Sequence, residues 1–159
     1  MIAICLDYCP FVLLDLGDTD RTEADFHAMF ASLRESHARA RKNATRHVFV
    51  GVARAVPNAR ERKLIASLSN QVPVADRALF VSSVLVVPNP IIRGAVTALG
   101  WLVPGLPPFE CVESTAQAVP AAAAILRKHR IPFREEDMQR AAAWFTQPAT
   151  RARPELRAM

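Results

Sequence analysis

The stretch ALFVSSVLVVPNP, residues 78–90, decides how the rest of the chain is read. From Ala78 to Val87 it is apolar at nearly every position. A strand with one wet face would alternate. A continuous run is what a strand needs when helices cover both its faces. Pro88-Asn89-Pro90 then ends the strand and opens a helix. Asn89 is an N-cap, and Pro90 suits the first helical turn because its missing N–H is not needed there. Ile92, Val96 and Leu99 follow as the buried stripe of that helix. Gly105, with Pro104, Pro107 and Pro108, makes a rigid turn. A buried strand feeding a helix is the building unit of a parallel α/β sheet.

Working outward, the same alternation recurs. Upstream, Val48–Val52 reads as a short β-branched strand. Asn58 caps the helix after it, with Glu61 three residues on. Leu64, Ile65 and Leu68 form its inner face, and residues 70–73 close it. Ile2–Leu6 and Phe11–Leu16, around Cys9-Pro10, read as a β-hairpin. Asp18-Thr19-Asp20 supplies a turn, and Asp20 with Glu23 has the layout of a capping box. Phe26, Met29, Phe30 and Leu33 then mark one apolar face of a helix reaching about Lys42. Its last turns are rich in Arg and Lys, which suits the negative end of the helix dipole.

Downstream, Phe109–Glu113 reads as a last short strand. Ser114 and Gln117 cap a helix to about His129, and Pro120 inside it predicts a kink or a late start. Ile131-Pro132 breaks that helix. Glu135–Phe145 reads as one more, with Met138, Ala142 and Phe145 on one side. The order is β-β-α-β-α-β-α-β-α with an extra C-terminal helix. That predicts an α/β fold: a mixed, mostly parallel sheet with an N-terminal hairpin, four packing helices and right-handed crossovers. The expected division is residues 1–131 as the α/β domain, 132–147 as a helical extension and 148–159 as a disordered tail, too poor in apolar residues to order itself.

The 159 residues suit one domain and suffice for a core without disulfide or metal staples. No apolar run reaches the roughly 18 residues of a membrane span. The N-terminus lacks a basic start and carries Asp7 and Asp15, so it reads as folded protein rather than a signal peptide, with a cytoplasmic location expected. Cys5, Cys9 and Cys111 are sparse and lie in apolar segments. They read as buried free thiols, and the C-x3-C pair lacks a second ligand pair for zinc. The net charge of +5 is concentrated: nine Lys/Arg lie between Arg34 and Lys63, against Glu35 and Glu61. The set lacks interleaved aromatics and a nucleic-acid motif. Solvated helix faces are the simpler reading, and nucleic acid is not an expected partner.

The run VVPNPIIRGAVTALGWLVPGLPPFECVESTAQAV, residues 86–119, resembles the SpoIIAA-like group of STAS domains, of the SEC14 type. In that group a buried strand ends in an apolar-x-N/S-P turn, an Arg-Gly pair opens the next helix, and an aromatic residue lies near its end. Here these are Val87, Pro88, Asn89, Pro90, Arg93, Gly94 and Trp101, with Ser114-Thr115 at the last cap. The element order agrees over about residues 1–130. The resemblance implies a regulatory protein–protein interaction module rather than an enzyme. The best-studied STAS domains are anti-sigma-factor antagonists, switched by phosphorylating a Ser or Thr at the start of the helix after a central strand. The matching loop here, Val52–Arg60, has no Ser, Thr or Tyr. The usual phosphoswitch is therefore expected to be missing, and partner binding to be constitutive.

The candidate interaction surface is Asn89, Arg93, Gly94 and Trp101. Arg93 opposes the helix dipole in a first turn, which a chain tolerates when the cation has another task. That task is an anionic ligand or partner, or a salt bridge to Asp15 or Asp18. Gly94 reads as permitting close helix–sheet packing. Trp101 and the 104–108 turn offer either a partner patch or a core anchor. For enzyme chemistry the inventory is poor: His27, His37, His47 and His129 are scattered, and no phosphate-cradling glycine loop occurs. No catalytic residue, metal ligand or cofactor is assigned. A protein partner is the expectation, with homodimerisation left open. A small-ligand or lipid binder of the SEC14 sort is the alternative.

Overall fold

Five strands form one sheet in the spatial order β1-β2-β3-β4-β5: β1 Ala3–Cys5, β2 Phe11–Asp15, β3 His47–Val52, β4 Phe80–Val86 and β5 Phe109–Val112. The structure is a computed structural model and describes residues 2–17, 20–94 and 108–146. β1 runs antiparallel to β2, and the other three pairs are parallel. The expected α/β class and mixed sheet are therefore present. The helices are α1 Glu23–Lys42, α2 Ala59–Asn70, α3 Val74–Arg77, α4 seen over residues 90–94, α5 Thr115–Lys128 and α6 Glu135–Thr146. Residues 95–107, with Trp101 and most of the turn predicted at 104–108, and residues 147–159 lie outside the described residues.

Chain order equals spatial order, so each parallel crossover steps the same way across the sheet. Its two faces then fill differently. Leu14 of β2 packs with Phe26, Met29 and Phe30 of α1 and Leu68 of α2. Phe11 and Leu13, with Val48, Val50 and Val52 of β3, face α5 and α6 instead. The period of two along each strand produces this division. It is why β2 is buried at all five positions. At Gly51 an added Cβ would lie 3.0 Å from both Leu85 Cδ2 and Phe49 Cε1, a tight fit that these two side chains would have to yield to. α6, read from sequence as an extension, packs on α5 and β2, and Trp144 and Phe145 join the main core.

Several expectations need correction. α1 starts at Glu23, capped by Thr22 rather than Asp20. The Thr22 hydroxyl accepts from Asp25 N at 3.2 Å, and the Asp25 carboxylate accepts from Thr22 N at 2.9 Å. The box has the expected form two residues later, which leaves Arg21 in the preceding loop. α5 begins at Thr115 with Pro120 inside it, so it does not start late. α3 was not foreseen, because four residues are too few to show a helical period. Cys5 is buried, but Cys9 is exposed and Cys111 half-buried; all three are free thiols. His27 is exposed.

Candidate functional site

Because β2–β5 are parallel, their carboxyl ends open on one edge, where the loops and helix N-termini collect. In open α/β sheets this edge is the usual place for ligands and partners. Thr22, Asn58, Asn89 and Ser114 stand there as N-caps. At the β4–α4 loop, Asn89 Oδ1 accepts from Ile91 N at 2.8 Å, and Asn89 O accepts from Arg93 N at 3.0 Å. The Asn89 side chain is thus occupied in capping. Pro88, Asn89 and Pro90 are exposed, and Ile91 on the first turn is 82% exposed.

For Arg93 the two readings were an anionic ligand or partner and a salt bridge to a loop acid such as Asp15 or Asp18. Its Nη2 lies 3.4 Å from both Val87 O and Glu113 Oε1, joining the β4–α4 and β5–α5 loops. Asp15, buried at the end of β2, accepts from Arg54 Nη2 at 3.0 Å and Gly17 N at 2.9 Å. Asp18 is outside the described residues. Gly94 is exposed, and among the described residues a Cβ there would meet nothing within 4 Å, so no packing seen there requires glycine. Asn89, Arg93 and Gly94 thus share one short segment. Trp101, the fourth predicted member, is outside the described residues.

Sequence reading missed a second feature of this edge. A cleft of about 510 Å³ opens between the N-termini of α1 and α2, lined by Arg21, Thr22, Glu23, Asn58, Arg60 and Glu61 among others. Arg21 grips Glu61 in a two-point fork, Nε to Oε1 and Nη2 to Oε2, each 2.9 Å. Both side chains are almost wholly buried, at 1% and 8% exposure. Glu61 Oε2 also accepts from Asn58 N at 2.7 Å. Arg60 pairs with Glu23 at 2.7 Å on the exposed rim. Each cation of the cleft therefore has its own carboxylate. The only sequence signal was Glu61 as a cap; a partner forty residues upstream leaves no periodic trace.

A third cluster lies at the opposite edge. His37 of α1 and His47 of β3, scattered in sequence, are both buried against Phe80 of β4. Ring centroids are 5.5 Å apart for the two histidines, 4.8 Å for His37–Phe80 and 4.1 Å for His47–Phe80. Burial pushes the His47 imidazole down to about 3, and the charge of His37 adds to that. Burial also lowers His37, with nearby Asp76 opposing the shift. Both rings are thus held neutral at neutral pH.

Among the described residues no three His, Cys, Asp or Glu side chains come together to hold a metal ion, and no helix is long and apolar enough to cross a membrane. The chain matches no protein-family model, no curated protein and no solved structure.

Proposed function

We propose that this chain is a non-catalytic interaction module of the STAS-like kind, docking a protein partner through the β4–α4 corner. The observation that carries the reading is Ile91: a large apolar side chain, 82% exposed, on a helical turn fixed by Pro88, Pro90 and the Asn89 cap. A rigid apolar anchor loses little entropy on binding, and Arg93 with Glu113 beside it supplies a polar rim. The loop after β3, where STAS domains carry their phosphoacceptor, is occupied differently. Arg54 there binds Asp15, and no hydroxyl is present, in keeping with constitutive docking. The cleft between α1 and α2 supports a second reading, small-ligand binding. Its volume is in the usual range for ligand sites, but its charged lining suits a polar molecule better than a lipid.

The test is affinity capture from native lysate with wild type, Ile91→Asp, Arg93→Ala and Lys128→Ala as a surface control. A partner retained by wild type and the control, and lost by at least tenfold in the first two variants, is the expected result. Equal capture by all four chains overturns the reading.

A further inference from the structure

The His37–His47–Phe80 cluster holds together a corner of four elements: the end of α1, α3, and the first residues of β3 and β4. Three independent features weaken that corner. His37 Nδ1 and His47 Nε2 are buried with no hydrogen-bond partner among the described residues. A buried unpaired polar atom is costly, and protonation would make it a charged donor that is also unpaired. The strand pairing is irregular there: His47 opposes Phe80, but Val48 opposes Ser82, so one β4 residue is bulged out between them. The corner is also already cationic. From α1, Arg41 faces the pair and binds Asp76 of α3; Asp76 is the acid that opposes the shift at His37. Exposed Lys42 and Arg46 flank the same turn. Arg77 of α3 is turned to the Asn70 and Val72 carbonyls. β4 contributes Phe80, which carries no charge.

We propose that this corner is an acid-sensitive latch: protons taken up by His37 and His47 release it locally, while the α5–α6 side of the sheet stays folded. Two new cations would stand beside Arg41, with Asp76 as the one acid facing them among the described residues. Opening frees the rings to water, where both charges are solvated, and bares Phe80. The surface presented at this edge then changes with pH. The linkage runs one way. A buried imidazole with a depressed pKa favours the closed form above the ordinary value of 6.5, and that preference fades as pH falls below it. Between about pH 7.5 and 5.5 one such histidine raises the opening equilibrium about tenfold.

Hydrogen exchange, expressed as protection factors corrected for intrinsic rates, tests this on the full chain. Over that pH range, protection in residues 37–50 and 74–82 should fall tenfold or more, and in residues 115–128 by much less. His47→Phe should remove about tenfold of the corner loss; His47→Gln serves if the larger ring prevents folding. Equal loss in the corner and in α5, no loss in the corner, or an undiminished loss in the folded variant overturns the latch. An NMR titration placing both imidazoles at or above 6.5 in the folded wild type overturns it independently of any variant.

Discussion

Replacing Glu61 with alanine should be among the most damaging single changes in this chain. Glu61 receives both forks of Arg21 at 2.9 Å, and both side chains are nearly free of solvent. Removing the carboxylate leaves a guanidinium buried with no counter-charge, which costs about 3–5 kcal/mol. It also removes the return half of the α2 capping box, the bond from Asn58 N at 2.7 Å, worth about 1 kcal/mol. A domain of this kind has about 5–15 kcal/mol in all, so Glu61→Ala should shift the urea midpoint severely or prevent folding. The pair itself is a different matter. Desolvating two charges offsets much of their attraction, so Arg21→Met with Glu61→Leu should cost far less than Glu61→Ala alone. Urea melts of wild type, Glu61→Ala and the double variant, followed by far-UV circular dichroism, measure the difference. A cost below about 1 kcal/mol for Glu61→Ala, or a double variant as unstable as the single, would refute the buried-charge argument.

Two glycines should respond in opposite senses. Gly51→Ala places a Cβ 3.0 Å from Leu85 and Phe49 and should destabilise by about 1–3 kcal/mol in urea melts. Gly94→Ala meets nothing in an exposed helical turn and should raise stability by about 0.5–1 kcal/mol. At low pH the carboxylates take over from the histidines. The Arg134 hydrogen bond holds the Asp137 carboxyl below its ordinary value of 3.8. The stability this contributes is present above 3.8 and lost as pH falls through the folded value. Asp137→Asn should therefore flatten the dependence of the urea midpoint below about pH 4 and leave the histidine-linked slope above it unchanged.

Much of the architecture was legible because it is local. The run at 78–87, apolar except at Ser82 and Ser83, suits a strand covered on both faces, and β4 is that strand. Asn58 with Glu61, and Ser114 with Gln117, form the capping boxes their spacing predicts. The start of α1 was misplaced because Asp20–Glu23 and Thr22–Asp25 have the same spacing. The competition between them is settled by hydrogen-bond geometry that a string of letters does not carry. At the candidate surface, the Asn89 cap was foreseen, but the exposure of Ile91 and the absence of any close contact at Gly94 were not. Both are set by tertiary packing around the first turn of α4, not by local spacing.

The sequence by itself determined the order of strands and helices apart from the short α3, the two buried faces of the sheet and most of the caps. These follow from periods of two and 3.6 residues and from side chains reaching their own backbone three residues on. Only the tertiary structure decided which charges and rings meet: Arg21 with Glu61, Arg54 with Asp15, Arg93 with Glu113, and His37 with His47 around Phe80. Such partners lie on different elements, ten to forty residues apart. Their meeting depends on strand order, register and the bulge at His47, and low-dielectric burial then sets how strongly they interact.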